Sequence, residues 1–230
     1  MPKEEYFSQA LYTFDIGQND MAAAIDAARL RHVPAESFIP DTMREFTRVV
    51  KSVYEAGGRY FWIHNTGPLG CLPYILLAVK LAPSELDPVG CGAPYNRLAQ
   101  RFNEMLNETV VGLRRDLPLG RFTYVDIYSA KYMLLSQAEK FGFEHPLETC
   151  CGYGGGTYNF DFDVRCGATS DVNGTEVLLG KPCANPSKRI VWDGVHYTEA
   201  ANRWVFDRIA AGEFSDPPNS PSTACQGKSA

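Results

Sequence analysis

The amino-acid sequence predicts an α/β fold, with a mostly parallel sheet covered by helices. Three observations carry this. Short β-favouring runs recur at Leu11–Ile16, Tyr60–Ile63 and Phe122–Ile127. Between and after them lie segments whose apolar residues recur at three- and four-residue spacing, the period of a helix with one buried face. Strand–helix alternation of this kind makes neighbouring strands parallel, because a helix supplies the crossover that parallel strands need.

Each element has its own justification. Leu11-Tyr12-Thr13-Phe14-Asp15-Ile16 is dominated by residues that fit a pleated surface, and Gly17 ends it. From about Asp41 to Ala56, Met43, Phe46, Val49, Val50, Val53 and Tyr54 form a helical stripe that Gly57-Gly58 stops. Tyr60-Phe61-Trp62-Ile63 is the second strand and leads into the loop Asn65–Pro73. The longest predicted helix runs from Pro94 to Arg115, with Leu98, Phe102, Met105, Leu106, Val110 and Leu113 on one face. After the third strand a helix of about a dozen residues reaches Phe141-Gly142. Residues 146–190 read as one long irregular stretch holding four of the seven cysteines, and loops of that length are functional or cross-linked. A last helix starts at Thr198, a fitting N-cap, and ends by Gly212. The chain then divides into a domain over residues 1–214 and a loosely ordered Pro- and Ser-rich tail over 215–230. Three strands are few for such a sheet.

Composition excludes several functions. The 230 residues carry a net charge of -5 without a block of Lys and Arg, which argues against nucleic acid as partner. No apolar run approaches the ~18 residues of a membrane span. Seven cysteines without any Cys-x-x-Cys pair speak against a zinc ribbon or a thioredoxin-type site. Cys150 and Cys151 have no matching histidine cluster, so disulfides to separate distant partners are expected rather than a metal. Gly152-Tyr153-Gly154-Gly155-Gly156 lacks the Lys-Ser/Thr ending of a phosphate loop, and no cofactor is expected. The sequons at Asn107 and Asn173, together with the cysteines, point to a secreted, glycosylated, disulfide-bonded protein. Against this, the start Met-Pro-Lys-Glu-Glu-Tyr holds no apolar signal core, and the odd cysteine count leaves one thiol without a partner in the chain. A missing N-terminal segment would account for both.

Open parallel sheets bind ligands beyond the carboxyl ends of their strands. Gly17-Gln18-Asn19-Asp20 follows the first strand directly, and Asp193-Gly194-Val195-His196 precedes the last helix. A carboxylate three residues before a histidine, around a glycine, can reach the near ring nitrogen, fix the tautomer and leave the far nitrogen to take a proton. The competing reading is an Asp-Gly turn beside an incidental surface histidine. Asn19 suits an oxyanion donor, against a plain helix cap for Asn19-Asp20. His64 reads as a core or loop residue at a strand end, and His32 and His145 carry no further signal.

At Tyr12-Thr13-Phe14-Asp15-Ile16-Gly17-Gln18-Asn19-Asp20 the sequence closely resembles the plant GDSL esterase/lipase family, a branch of the SGNH hydrolases. The likeness continues through His64–Pro73, Pro94-Tyr95-Asn96, Tyr124–Tyr128, Cys150–Gly154 and Trp192–Asn202. Its flavour is that of the early-nodulin-like and α-fucosidase-named subgroup. The resemblance implies a three-layer α/β/α, flavodoxin-like sheet, extracellular location and hydrolysis of a small-molecule or glycan ester. It implies Asn19 in the oxyanion hole and Asp193 with His196 in the catalytic triad. The family's Gly-Asp-Ser block, which carries the nucleophile, and the following glycine block match nothing here, so the chain is expected to lack its first strands and to be inactive as written. Ser8 lies where the family has no catalytic residue. In the strand order 2-1-3-4-5 the visible strands correspond to the third, fourth and fifth, which turns Leu11–Ile16 into an edge strand and an expected site of self-association. Two alternatives stand beside the esterase: a non-catalytic glycan- or partner-binding remnant, and a glycosidase using Asp20 and Asp193. Cys71 with Cys91 is the one disulfide pairing suggested.

Overall fold

The computed structural model describes residues 3–224. In chain order the helices are α1 (Glu4–Gln9), α2 (Gln18–Arg31), α3 (Ile39–Glu55), α4 (Pro73–Ala78), α5 (Ala93–Asp116), α6 (Ile127–Ser136), α7 (Glu199–Ala210) and α8 (Pro221–Ala224). The strands are β1 (Leu11–Asp15), β2 (Tyr60–His64), β3 (Arg121–Val125), β4 (Cys151–Gly152), β5 (Thr169–Val172), β6 (Thr175–Leu178), β7 (Lys181–Pro182) and β8 (Ser215–Asp216). The described residues form two compact units, one of 3–67, 97–130 and 207–224, the other of 68–96 and 131–206.

The first unit holds the main sheet, in the order β1-β2-β3-β8. β1, β2 and β3 are parallel, and β8 is antiparallel to β3. Register places Tyr12, Phe61 and Phe122 side by side, and their rings stack at 5.8 and 4.6 Å along one face. Trp62 points to the opposite face, 2% exposed, where Thr123 donates a hydrogen bond to Asn219 Oδ1 at 3.1 Å. The segment from Ser215, expected as a loose tail, adds β8 to the sheet, bonds Thr123 through Asn219 and buries Ala224. Arg114 holds it there: its guanidinium donates twice to the Phe122 carbonyl and pairs with Asp216 at 2.7 Å. Proline and serine content alone did not show that an arginine a hundred residues earlier would anchor this stretch.

α2 is also absent from the sequence prediction. Its Ala-rich residues bury only Met21, Ala24 and Ile25, so no apolar stripe announces it. Gly17 occupies the N-cap at φ 116°, and a β-carbon there would sit 2.5 Å from the Phe102 ring. Asn19 thus lies in the first turn rather than at the cap. Among the described residues β1 pairs with β2 alone and is an edge strand, as the strand correspondence implied.

The second unit is stapled by three disulfides, Cys71–Cys91, Cys150–Cys183 and Cys151–Cys166. Loop closures of this length stabilise by roughly 3–4 kcal/mol each in the chain-entropy account. The adjacent cysteines do take separate partners, and the irregular stretch contains two small antiparallel pairings, β4 with β7 and β5 with β6. Cys225 lies outside the described residues. Asn96 Oδ1 accepts the Gly70 N–H at 2.9 Å, and Gly70 packs so closely that a β-carbon would meet the Gly92 carbonyl oxygen at 2.0 Å. This contact brings Cys71 and Cys91 within reach of each other. α7 begins as expected: Thr198 Oγ1 accepts the Ala201 N–H at 3.2 Å and donates to the Arg189 carbonyl at 2.6 Å.

Candidate functional site

The clearest chemical arrangement lies in the second unit, on the tight turn from Trp192 to Tyr197. Its stem is a short ladder: the Trp192 N–H donates to the His196 carbonyl at 2.7 Å, and Val191 bridges Tyr197. The outer side of the stem is pinned to the disulfide pair, since Cys150 and Cys151 donate their N–H groups to the carbonyls of Val191 and Trp192. Gly194 turns the chain at φ 93°, a conformation that favours glycine. The turn places Asp193 Oδ2 2.8 Å from His196 Nδ1. Asp193 Oδ1 meanwhile accepts the N–H groups of Val195 and His196, at 3.1 and 2.8 Å.

This carboxylate is well held. Partial burial pushes its pKa up, but the bonds from the His196 backbone, the His196 ring and the Val195 N–H outweigh that and keep it below the ordinary carboxylate value. Ionised Asp193 is an acceptor only, so the neutral ring donates its Nδ1–H and keeps a lone pair on Nε2. The imidazole side chain is 74% exposed, so Nε2 is available to an incoming group. Among the described residues of this unit, Asp193 is its hydrogen-bond partner and no hydroxyl is.

Asn19 lies in the other unit, exposed in the first turn of α2 just beyond the carboxyl end of β1. Asp20 accompanies it in the same turn. Each stands where sequence reasoning put it, beyond the first strand. Ser8 is on α1, bonded to the Glu5 carbonyl. His64 ends β2, with Nδ1 4.0 Å from Asp15 Oδ2 and a buried Nε2 that has no protein partner. Asn107 is exposed on α5, and Asn173 is exposed at the β5–β6 hairpin tip with φ 55°. No group of three or more His, Cys, Asp or Glu among the described residues is placed to hold a metal.

The loop after β2 carries order rather than reactivity. Asn65, 2% exposed, donates to the Tyr124 hydroxyl at 3.0 Å and to Asp126 Oδ1 at 2.9 Å, and accepts the Tyr128 N–H. Asp126 in turn accepts the Ser129 N–H at 3.0 Å and its hydroxyl at 2.5 Å, capping α6. Asn103 clasps the Thr66 backbone through both its N–H and C=O. These amides were invisible as a network in the sequence, because their partners lie about 40 to 60 residues away.

Comparison with known proteins gives the family. The model of the GDSL-like lipase/acylhydrolase family matches residues 1–209. The chain belongs to this family. A GDSL esterase/lipase of Zea mays is 57% identical over 228 residues, covering 99% of the present chain and 57% of its own length. An esterase of Hevea brasiliensis is 52% identical, with 98% of this chain and 56% of its own covered. An Arabidopsis thaliana protein named alpha-L-fucosidase 3 is 47% identical over 92% of this chain and 56% of its own. The chain thus spans little more than half the length of these relatives. Among the described residues no helix is long and apolar enough to cross a membrane.

Proposed function

We propose that this GDSL-family chain carries the proton-handling part of an ester hydrolase. His196 is the general base toward a hydroxyl nucleophile and later the acid toward the leaving alcohol, Asp193 orients it, and Asn19 donates to the oxyanion. The observation that supports this is the 2.8 Å contact from Asp193 Oδ2 to His196 Nδ1, with the carboxylate's other oxygen held by two backbone N–H groups. The Gly-Asp-Ser block has no counterpart in the 230 residues, so the chain on its own lacks the attacking serine and is inactive. A triad without its nucleophile retains only the modest rate given by binding and oxyanion stabilisation. Substrates are small-molecule or glycan esters. The three disulfides and the exposed sequons support an extracellular, N-glycosylated protein.

Incubation of the chain with p-nitrophenyl acetate and a serine-directed fluorophosphonate tests this reading. No turnover above buffer and no covalent adduct are expected. Labelling of any serine in the chain overturns the assignment. The name of the Arabidopsis relative favours a nitrophenyl fucoside as the second substrate to try. Its cleavage, surviving His196→Ala, would move the chemistry to carboxylates such as Asp20 and Asp193. Glycan binding without turnover would favour a binding remnant.

A further inference from the structure

The turn that carries the Asp193–His196 pair is covered by a cluster of rings that the proposed chemistry does not use. Phe160 lies against Gly194: a β-carbon at 194 would be 2.3 Å from its Cδ2 and 2.6 Å from its Cε2. On the same stretch the Tyr74 N–H donates to the Gly194 carbonyl at 3.1 Å. The Tyr74 and Phe162 rings meet Phe160 edge-on, with centroids 6.4 and 5.1 Å away, and the Arg165 guanidinium sits 5.2 Å from its centroid. Phe160 is itself anchored. Its neighbour Asn159 donates to the Thr149 carbonyl at 2.8 Å and accepts the Gly154 N–H at 2.7 Å, and the Cys151–Cys166 disulfide closes the loop that holds Gly154, Asn159, Phe160, Phe162 and Arg165.

Gly194 is the residue between the carboxylate and the segment that returns the imidazole to it. A glycine at φ 93° has other conformations open to it, and nothing in its own side chain forbids them. From the ring standing where a β-carbon of residue 194 would lie, and from the bonded carbonyl, we infer that Phe160 is a positioning residue for His196 and Asp193. The Cys151–Cys166 loop acts as the clamp that presents it. Phe160 touches neither reacting atom. It removes the alternative turn geometries in which Asp193 Oδ2 and His196 Nδ1 separate, and so keeps the ring in one tautomer. The inference rests on the pairing of Asp193 with His196, not on the chain's having activity.

The readout is the long-range 1H–15N NMR signature of the His196 ring in the full chain at about pH 8, above the ordinary imidazole pKa of ~6.5. The unmodified chain is expected to show one neutral tautomer, protonated at Nδ1, and a Gly194 α-proton displaced by the Phe160 ring current. Phe160→Ala is expected to give mixed tautomers and a solvent-broadened Nδ1–H, Phe160→Leu to recover most of the single-tautomer signal, and joint Cys151→Ser and Cys166→Ser to act like Phe160→Ala. Asp193→Asn tests the pair itself and is expected to remove the preference. Loss of tautomer preference in Asp193→Asn with an unchanged spectrum in Phe160→Ala would leave the pair standing and overturn the clamp. Mixed tautomers in the unmodified chain would overturn both. Should Phe160→Ala lose its cooperative melt, the unmodified chain decides: a Gly194 α-proton at its ordinary shift refutes the contact on which the clamp depends.

Discussion

Tyr124 shows how a single buried group makes stability depend on pH. Burial, followed by the field of Asp126, pushes its phenol up to about 12 from 10.0, against the opposing hydrogen bond from Asn65. The folded value lies above the unfolded one, so this stabilisation is complete below pH ~10 and is lost as pH rises toward 12. By pH 11 the loss amounts to about 1 kcal/mol. Tyr124→Phe lacks the titrating group but leaves the Asn65 amide without one acceptor and the Asn103 carbonyl without a donor, at a cost of about 1 kcal/mol at neutral pH. Urea unfolding at pH 8 and pH 11 should therefore show wild type ahead at the lower pH and its lead shrinking at the higher. A constant lead would mean that Tyr124 titrates normally. Residues differed in how legible they were. Spacing made a contact between Asp193 and His196 possible, because only three peptide units of a turn separate them, and the resemblance favoured it over an incidental histidine. Asn65 and Asn96 enter only as parts of a resemblance and Asn103 not at all, since their role lies in partners brought close by folding. Phe160 gave no signal at all, because an aromatic residue in a glycine-rich stretch has no period to reveal what it packs against.

Elements were legible in proportion to how much of one face they bury. α3 and α5 carry long apolar stripes and fell within about two residues of the expected bounds, and β1 to β3 likewise. α2 escaped notice because alanine fills it, and β8 because two residues cannot form a pattern. α7 was bounded correctly by its cap, and the cap has a measurable worth. Thr198→Ala deletes the acceptor for the Ala201 N–H and the donor to the Arg189 carbonyl, both away from solvent, and should cost about 1–2 kcal/mol in denaturant unfolding. Thr198→Ser should recover most of it. Equal losses in the two variants would assign the effect to the γ-methyl packing instead. The β5–β6 hairpin gives a different prediction. Asn173 stands at its tip at positive φ, flanked by Gly174, and its side chain is exposed. Secretory expression should attach a glycan there, so Asn173→Gln should lower the mass by one glycan unit that peptide-N-glycosidase otherwise removes. An unaltered glycoform pattern would exclude this sequon from use.

At the scale of the molecule, the edge position of β1 yields a prediction for concentrated solution. Backbone groups on the outer side of Leu11–Asp15 have no strand to pair with among the described residues. Apolar side chains cluster on the flanks: Phe7 is 39% and Ile16 43% exposed, and Val49 borders a groove of about 110 Å³ that Phe14, Phe46, Phe102 and Leu106 line. Charged residues that commonly blunt such edges are scarce in this strand, where Asp15 alone is ionisable at neutral pH. A second copy offers the same five residues, and two such edges pair antiparallel about a twofold axis without any new partner. We therefore expect a concentration-dependent dimer in sedimentation velocity. Thr13→Lys, at an exposed position of β1, places a like charge in both copies at the centre of the pairing and should return the chain to monomer while its melting temperature stays within a few degrees. A monomer at all concentrations would show that the edge stays unpaired, and a dimer indifferent to that lysine would place the contact on another surface.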